Sequence, residues 1–281
     1  QRGQAEEILG RCMQGKRQEL VITSKFLFPM GNQPNQGGAS RKHILHSIQE
    51  TLNRLDTDYL DVYFIHRFDE NTRLEETLKA LDDLVTAGMI HYPAVSNFAA
   101  WQIAKALGIS ALHDWAGFEC VQPMYNLLKR QAEVEILPLA HSENLGVISY
   151  SPLAGGYLSG KYSSSHWPDK GRLVTNSMYS TLYGAHRMAS AVYRHSAKAQ
   201  EMNVHPVTLA VAWVGAHPAI TAPIIGARNL EQLEDSLAAA EFTLSPEKRD
   251  ELSALTPHPG YATDRNEEHT QFNYGEKLTK K

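Results

Sequence analysis

The chain has 281 residues, 42% of them hydrophobic and 21% charged, with a formal net charge of −4. These are ordinary globular values; they give no electrostatic reason to expect nucleic acid, and no apolar run is long enough to cross a bilayer. Cys12 and Cys120 are the only cysteines, too few for a disulfide framework and outside any metal-ligand spacing, so a reducing cytoplasm is the expected compartment.

No signal-peptide pattern opens the chain. Ala5, Ile8, Leu9, Cys12 and Met13 fall on one face and predict a helix over 5–13. A strand-like run over 20–24 follows and ends in Lys25. Residues 26–39 read as loop, punctuated by Gly31, Pro34, Gly37 and Gly38. Ser40 is placed to cap a helix whose apolar face is Ile44, Ile48, Leu52 and Leu55. The next run, Tyr59-Leu60-Asp61-Val62-Tyr63-Phe64-Ile65-His66, is β-branched, aromatic and apolar, and stops at a histidine. Buried strands of parallel sheets look like this, and ligands bind at their C-terminal ends.

From Thr72, a helix with Leu74, Leu78, Leu81 and Val85 on one face runs to a stop at Gly88. A strand over 89–95 leads into Ser96 and Asn97, a short helix covers 101–107, and a strand over 118–122 ends at Gln122. A helix over 133–144 is stopped by Gly146, and a strand over 147–150 opens a glycine-rich stretch, Tyr150 to Tyr162. After Pro206 come a helix to about 216, a strand over 219–225 and a helix over 230–240. Six strands alternate with helices through short links, which predicts a parallel sheet covered by helices in a single domain over 1–281.

Lys25 and His66 end consecutive strands and so present an amine and an imidazole at one rim. Ser96, Asn97 and Gln122 end the next two with groups that can both donate to and accept from a carboxamide. Tyr150 offers a flat ring, and the loop after it offers backbone amides and Lys161 to an anion. It has no Walker or G-x-G-x-x-G spacing. Gly226-Ala227-Arg228-Asn229 opens the last of these helices, where free N–H groups and a guanidinium suit phosphate.

Together these motifs resemble the aldo-keto reductases. The likeness is almost letter for letter over 54–66, Arg-Leu-Asp-Thr-Asp-Tyr-Leu-Asp-Val-Tyr-Phe-Ile-His, and extends from Ala5 to about Ser236. It implies a (β/α)8 TIM barrel, with two opening strands expected before Gln1 and about six of the eight represented here. It implies catalytic roles for Lys25 and His66. The family's acid tyrosine and its lysine-paired aspartate would stand before Gly3, so poor carbonyl reduction is expected of the 281-residue chain. It implies that NADP(H) is the cofactor. Ser96, Asn97 and Gln122 would hold the nicotinamide amide and Tyr150 would stack on the ring. Ser151, Leu153, Lys161 and the flap residue Arg172 would face the diphosphate. Gly226, Arg228, Gln232, Asp235 and Ser236 would face the adenosine phosphate. There are two departures. Pro93 stands within a strand, so the ladder is expected to be disturbed there, and Ser236 stands where asparagine is common.

The expected activity is reduction of a small-molecule aldehyde or ketone to an alcohol. Substrate choice should lie in the loop over 26–39, the flap and the tail after Pro257. The alternatives are a nicotinamide-binding regulatory subunit, since potassium-channel β subunits resemble the chain around Ser40 to Ile44 and Ser151 to Tyr162, and an inactive truncated reductase. His66 favours the enzyme, because those subunits commonly carry asparagine at that position.

Overall fold

The computed structural model describes residues 3–163, 166–169, 171–183, 188–260 and 262. The chain groups into two compact units, Gln1–Gln122 with Glu143–Leu145, and Pro123–Ser142 with Gly146–Lys281.

The first unit contains α1 (Gln4–Cys12), β1 (Thr23–Phe26), α2 (Arg41–Leu55), β2 (Leu60–Ile65), α3 (Leu74–Thr86), β3 (Ile90–Ser96), α4 (Ala100–His113) and β4 (Cys120–Gln122). β1 to β4 pair in chain order, every pair parallel. Right-handed βαβ crossovers favour this arrangement, because each helix returns the chain to the start of the next strand. Ser40 caps α2 by accepting from the His43 N–H. The predicted apolar face of α2, with Ile44, Ile48, Leu52 and Leu55, is buried. α1 lies close on α2: a Cβ on Gly10 would fall 2.7 Å from the Leu55 carbonyl oxygen, so only glycine fits.

The second unit contains α5 (Ile136–Ser142), β5 (Gly146–Ser149), α6 (Arg172–Thr175), α7 (Ser177–Tyr183), α8 (Ala189–Glu201), α9 (Pro206–Gly215), β6 (Ala222–Pro223), α10 (Leu230–Leu237) and α11 (Pro246–Ser253). β5 and β6 pair in parallel. α9 is buried from Val207 to Val214, an all-round apolar helix inside this unit. Six strands are thus found among the described residues, in the expected order.

Element bounds differ from the sequence reading most clearly at β1, α4, α5 and β6. β1 is shifted: Leu20 and Val21 are exposed, and β2 begins bonding only at the Ile22 carbonyl, so the earlier residues have no ladder to join. α4 runs through Gly108, where nothing crowds the helix, and ends with Asp114 in the left-handed conformation. The helix expected over 133–144 is split into a 3₁₀ turn, Gln131–Glu133, and α5. Pro138 explains the split: it lacks an N–H and is tolerated in the first turn of a helix, where α5 places it. β6 shrinks to two residues around Pro223. At Pro93 the ladder to β2 is intact, with Pro93 paired to Tyr63, and its carbonyl accepts from Glu119 N–H at 3.0 Å just before β4 begins. The disturbance expected there is absent.

Candidate active site

In the first unit the strand ends carry the predicted chemistry. Lys25 sits in β1, His66 follows β2 by one residue, Ser96 closes β3 with Asn97 next, and Gln122 closes β4. Backbone and side-chain bonds fix them as a set. His66 N–H donates to the Phe26 carbonyl at 3.1 Å. The Asn97 amide donates to the His66 carbonyl at 2.9 Å and to the Ser96 hydroxyl at 3.0 Å. The Ser96 hydroxyl donates to the Gln122 carbonyl at 2.8 Å. Asn97 takes φ 54° to make these bonds, a conformation asparagine tolerates. The Gln122 side chain makes no hydrogen bond among the described residues and keeps its donor and acceptor available.

Lys25 makes neither a hydrogen bond nor an ion pair among the described residues; its Nζ lies 5.1 Å from the centre of the Phe64 ring. Burial lowers its pKa, against a smaller opposing effect from Cys120. Register explains that neighbour: Lys25, Phe64, Ala94 and Cys120 align across the four strands. His66 is half-buried, and its pKa is lowered first by burial and then by the Lys25 charge. A neutral imidazole beside an ammonium can donate to a carbonyl oxygen while the cation stabilises negative charge developing there.

The second unit carries the remaining predicted residues in two groups. Tyr150 follows β5; its N–H donates to the Pro123 carbonyl at 3.0 Å, and its own carbonyl accepts from Tyr125 N–H at 3.2 Å. Burial, then Tyr179, raises its pKa. The glycine-rich turn begins with Ser151 at φ 61°, whose carbonyl accepts from the Asn126 amide at 3.0 Å. The Leu153 carbonyl then accepts from Gly156 and Leu158. Gly155 needs its left-handed φ of 70°, and it gives room to the Tyr179 ring, which would lie 2.5 Å from a Cβ there.

Lys161 follows this turn. Burial lowers its pKa, and the charges of Arg228 and then Arg172 lower it further. None of these three cations forms an ion pair among the described residues. The Arg172 guanidinium lies 5.7 Å from the Tyr179 ring centre. Arg228 and Gly226 are exposed. Asn229 caps α10 through Gln232 N–H, and the Gln232 side chain accepts from Arg228 N–H at 3.3 Å. The α10 terminus therefore offers fewer open donors than the sequence suggests. Asp235, partly exposed, lies 3.4 Å from the His205 ring, and the buried Ser236 hydroxyl donates to the Gln232 carbonyl.

Three neighbours of Lys25 and His66 escaped the sequence reading. Cys120 is placed by strand register alone. Phe28 lies edge-on against His66 with ring centres 4.5 Å apart, and Arg67 reaches over Phe28 at 5.8 Å. An aromatic three residues after Lys25 was the only signal available for Phe28. Of the tail after Pro257, named for substrate choice, residue 261 and residues 263–281 lie outside the described residues.

The Aldo/keto reductase family is matched over residues 1–256. An uncharacterized oxidoreductase of Bacillus subtilis, YrpG, is 34% identical over 93% of this chain and 80% of its own length. A probable voltage-gated potassium channel subunit beta of Oryza sativa is 35% identical over 90% of this chain and 79% of its own. An L-glyceraldehyde 3-phosphate reductase of Escherichia coli is 31% identical over 91% of this chain and 75% of its own.

Proposed function

The chain belongs to the aldo/keto reductase family, and from that premise we propose that it reduces an aldehyde or ketone to an alcohol with NADPH. The reading rests most heavily on the convergence of Lys161, Arg172 and Arg228 without a carboxylate partner among the described residues. Like charges so arranged repel, and a bound polyphosphate relieves the repulsion. When bound, the cofactor supplies the hydride. His66 donates to the carbonyl oxygen, and Lys25 stabilises charge developing on it.

The residues fit the cofactor's parts. Ser96, Asn97 and Gln122 would hold the carboxamide, with the Gln122 side chain making no hydrogen bond within the described residues. Tyr150 would stack on the ring. Ser151, Leu153, Lys161 and Arg172 would meet the diphosphate, and Gly226, Arg228 and Gln232 the adenosine phosphate. Asp235 and Ser236 belong to the same assignment through their place on α10. A single barrel domain over 1–281 and a cytoplasmic location, supported by two cysteines in 281 residues, complete the proposal. No helix among the described residues is long and apolar enough to cross a membrane.

Replacing Arg228 by alanine tests the cofactor assignment. Charge-assisted contacts are worth about 1.5–3 kcal/mol. The NADPH dissociation constant should therefore rise about tenfold or more, with NADH little changed, in a fluorescence titration. Equal losses for both cofactors overturn the assignment. A second reading, a nicotinamide-binding regulatory subunit, is favoured by the relatives named as potassium channel β subunits. Steady turnover of NADPH with an aldehyde separates the two, since a pure sensor gives none.

A further inference from the structure

Beside His66 stands a cation that the catalytic assignment does not use. Arg67 is exposed and makes no ion pair among the described residues; its guanidinium lies 5.8 Å from the centre of the Phe28 ring. Phe28, 49% exposed, packs edge-on against the His66 imidazole at 4.5 Å. Two ring contacts therefore connect the guanidinium to the group that would hold the carbonyl.

The surroundings keep this cation available. The nearest carboxylate in sequence, Asp69, is occupied elsewhere: it accepts from Ala39 N–H at 2.7 Å, Asn71 N–H at 3.0 Å and the Thr72 hydroxyl at 2.8 Å. Burial alone would raise the Asp69 pKa, but these bonds together lower it. Glu70, exposed, forms no ion pair with Arg67. The Ala39 bond also ties the loop over 27–39 to the turn after His66. At the other end of that loop Leu27 takes φ 124°, a left-handed conformation rare for a leucine, and the next residue is Phe28. Such outliers persist where the surrounding structure over-determines them and cluster at ligand sites. Gly38 N–H closes the loop onto the Leu27 carbonyl at 2.8 Å.

We propose that Arg67 and Phe28 form a subsite selecting carbonyl substrates that carry an acidic group, a carboxylate or a phosphate, several bonds from the carbonyl. The proposal rests on the reductase reading. Phe28 supplies an apolar wall beside His66. Arg67 supplies a planar fork that matches both anions, for which a guanidinium is better suited than an ammonium.

Benzaldehyde and 4-carboxybenzaldehyde share a ring and a carbonyl and differ by one charge. The wild-type protein should prefer 4-carboxybenzaldehyde in kcat/KM. In Arg67→Gln the ratio of the two kcat/KM values should fall about tenfold or more, through the KM of the charged aldehyde, and Arg67→Lys should recover part of it. Glyceraldehyde against glyceraldehyde 3-phosphate, compared the same way, tells whether carboxylate or phosphate is the better match. A ratio unmoved by Arg67→Gln in both pairs overturns the proposal. If the wild-type protein reduces none of the four, that outcome bears on the reductase reading and not on the subsite. The subsite is then judged by benzoate binding in titration calorimetry. Binding weakened about tenfold by Arg67→Gln sustains it, and no binding to the wild type overturns it.

Discussion

Lys25 is held where its charge is costly. Its pKa is lowered chiefly by burial, so the folded state binds that proton less tightly than the unfolded chain does. For a base depressed in this way stability is complete above the unfolded value, near 10.5, and is lost as pH falls from there to the lowered one, below which the loss is complete. The cost is therefore present at neutral pH. Lys25→Met should raise the melting temperature at pH 7, by up to a few degrees on the scale of about 2–4 °C per kcal/mol for chains of 150–250 residues. The same substitution removes the charge that helps lower the His66 pKa. The His66 imidazole should then titrate at a higher pH by NMR, and carbonyl reduction should be lost. A lower melting temperature together with an unmoved His66 titration would contradict this account. Such residues are legible in sequence as the abrupt end of an apolar run. Their neighbours are not: no pattern in 26–28 tells that Phe28 turns onto His66, because the left-handed Leu27 that redirects the chain has an ordinary side chain.

The buried ionic knot of the second unit works at the scale of elements. Glu133, at the end of the 3₁₀ turn before α5, accepts from Arg130 through Nε at 3.0 Å and Nη2 at 2.8 Å, and from the Tyr125 hydroxyl. Arg249 of α11 donates to that hydroxyl at 2.8 Å and lies 4.9 Å from the Trp213 ring centre on α9. Arg130 also donates to the Ser253 carbonyl in α11 at 2.9 Å, and Trp213 to the Ser253 hydroxyl at 3.0 Å. One carboxylate thus compensates two buried guanidiniums and anchors α11. Glu133→Gln leaves both without a counter-charge, and breaking a buried pair from one side costs about 3–5 kcal/mol. Urea denaturation should show a loss of that order; a loss below about 1 kcal/mol would mean that the knot is not holding α11. None of this was readable beforehand, since the segment reads as an unbroken helix and its partner lies more than a hundred residues away. Short-range features fared better. The Ser40 cap, the stop at Gly88, the Pro206 start of α9 and the order of the six strands all follow from local chemistry, which tertiary packing here left in force.

For the whole molecule, the two histidines with the largest downward shifts contribute most to the response to acid. His195 is fully buried with both ring nitrogens unpartnered, and burial brings its pKa down to about 4. Burial, followed by the Arg249 charge, brings His217 down to about 3. In the unfolded chain both would titrate near 6.5. Stability is thus complete above pH 6.5 and is lost as pH falls through 6.5 toward those values, by about 1.4 kcal/mol per unit and per group. The carboxylates whose pKa values are lowered, Asp69, Asp83, Glu133 and Glu251, lose their stabilising contribution only at more acidic pH. The protein should accordingly lose stability between pH 6.5 and 4.5, ahead of carboxylate protonation. His195→Leu should flatten part of that slope in denaturant melts and raise stability at pH 5. Identical slopes in the two proteins would rule His195 out as a cause.

The bond from Ala39 N–H to Asp69 has a bearing on how this protein could be re-engineered. It clasps the loop over 27–39 at its far end, and Gly38 closes the near end on Leu27. Neither bond uses a side chain from within 28–37, so the clasp is indifferent to what those residues are. Segments from related proteins could be exchanged into 29–37 as a cassette, with Leu27, Gly38, Ala39 and Asp69 retained as the frame and Phe28 retained because it packs on His66. Loop-length entropy rises only slowly with added residues, so the inserts need not match in length. Diversity in the loop beside Phe28 can then be explored without disturbing the strand ends that carry Lys25 and His66.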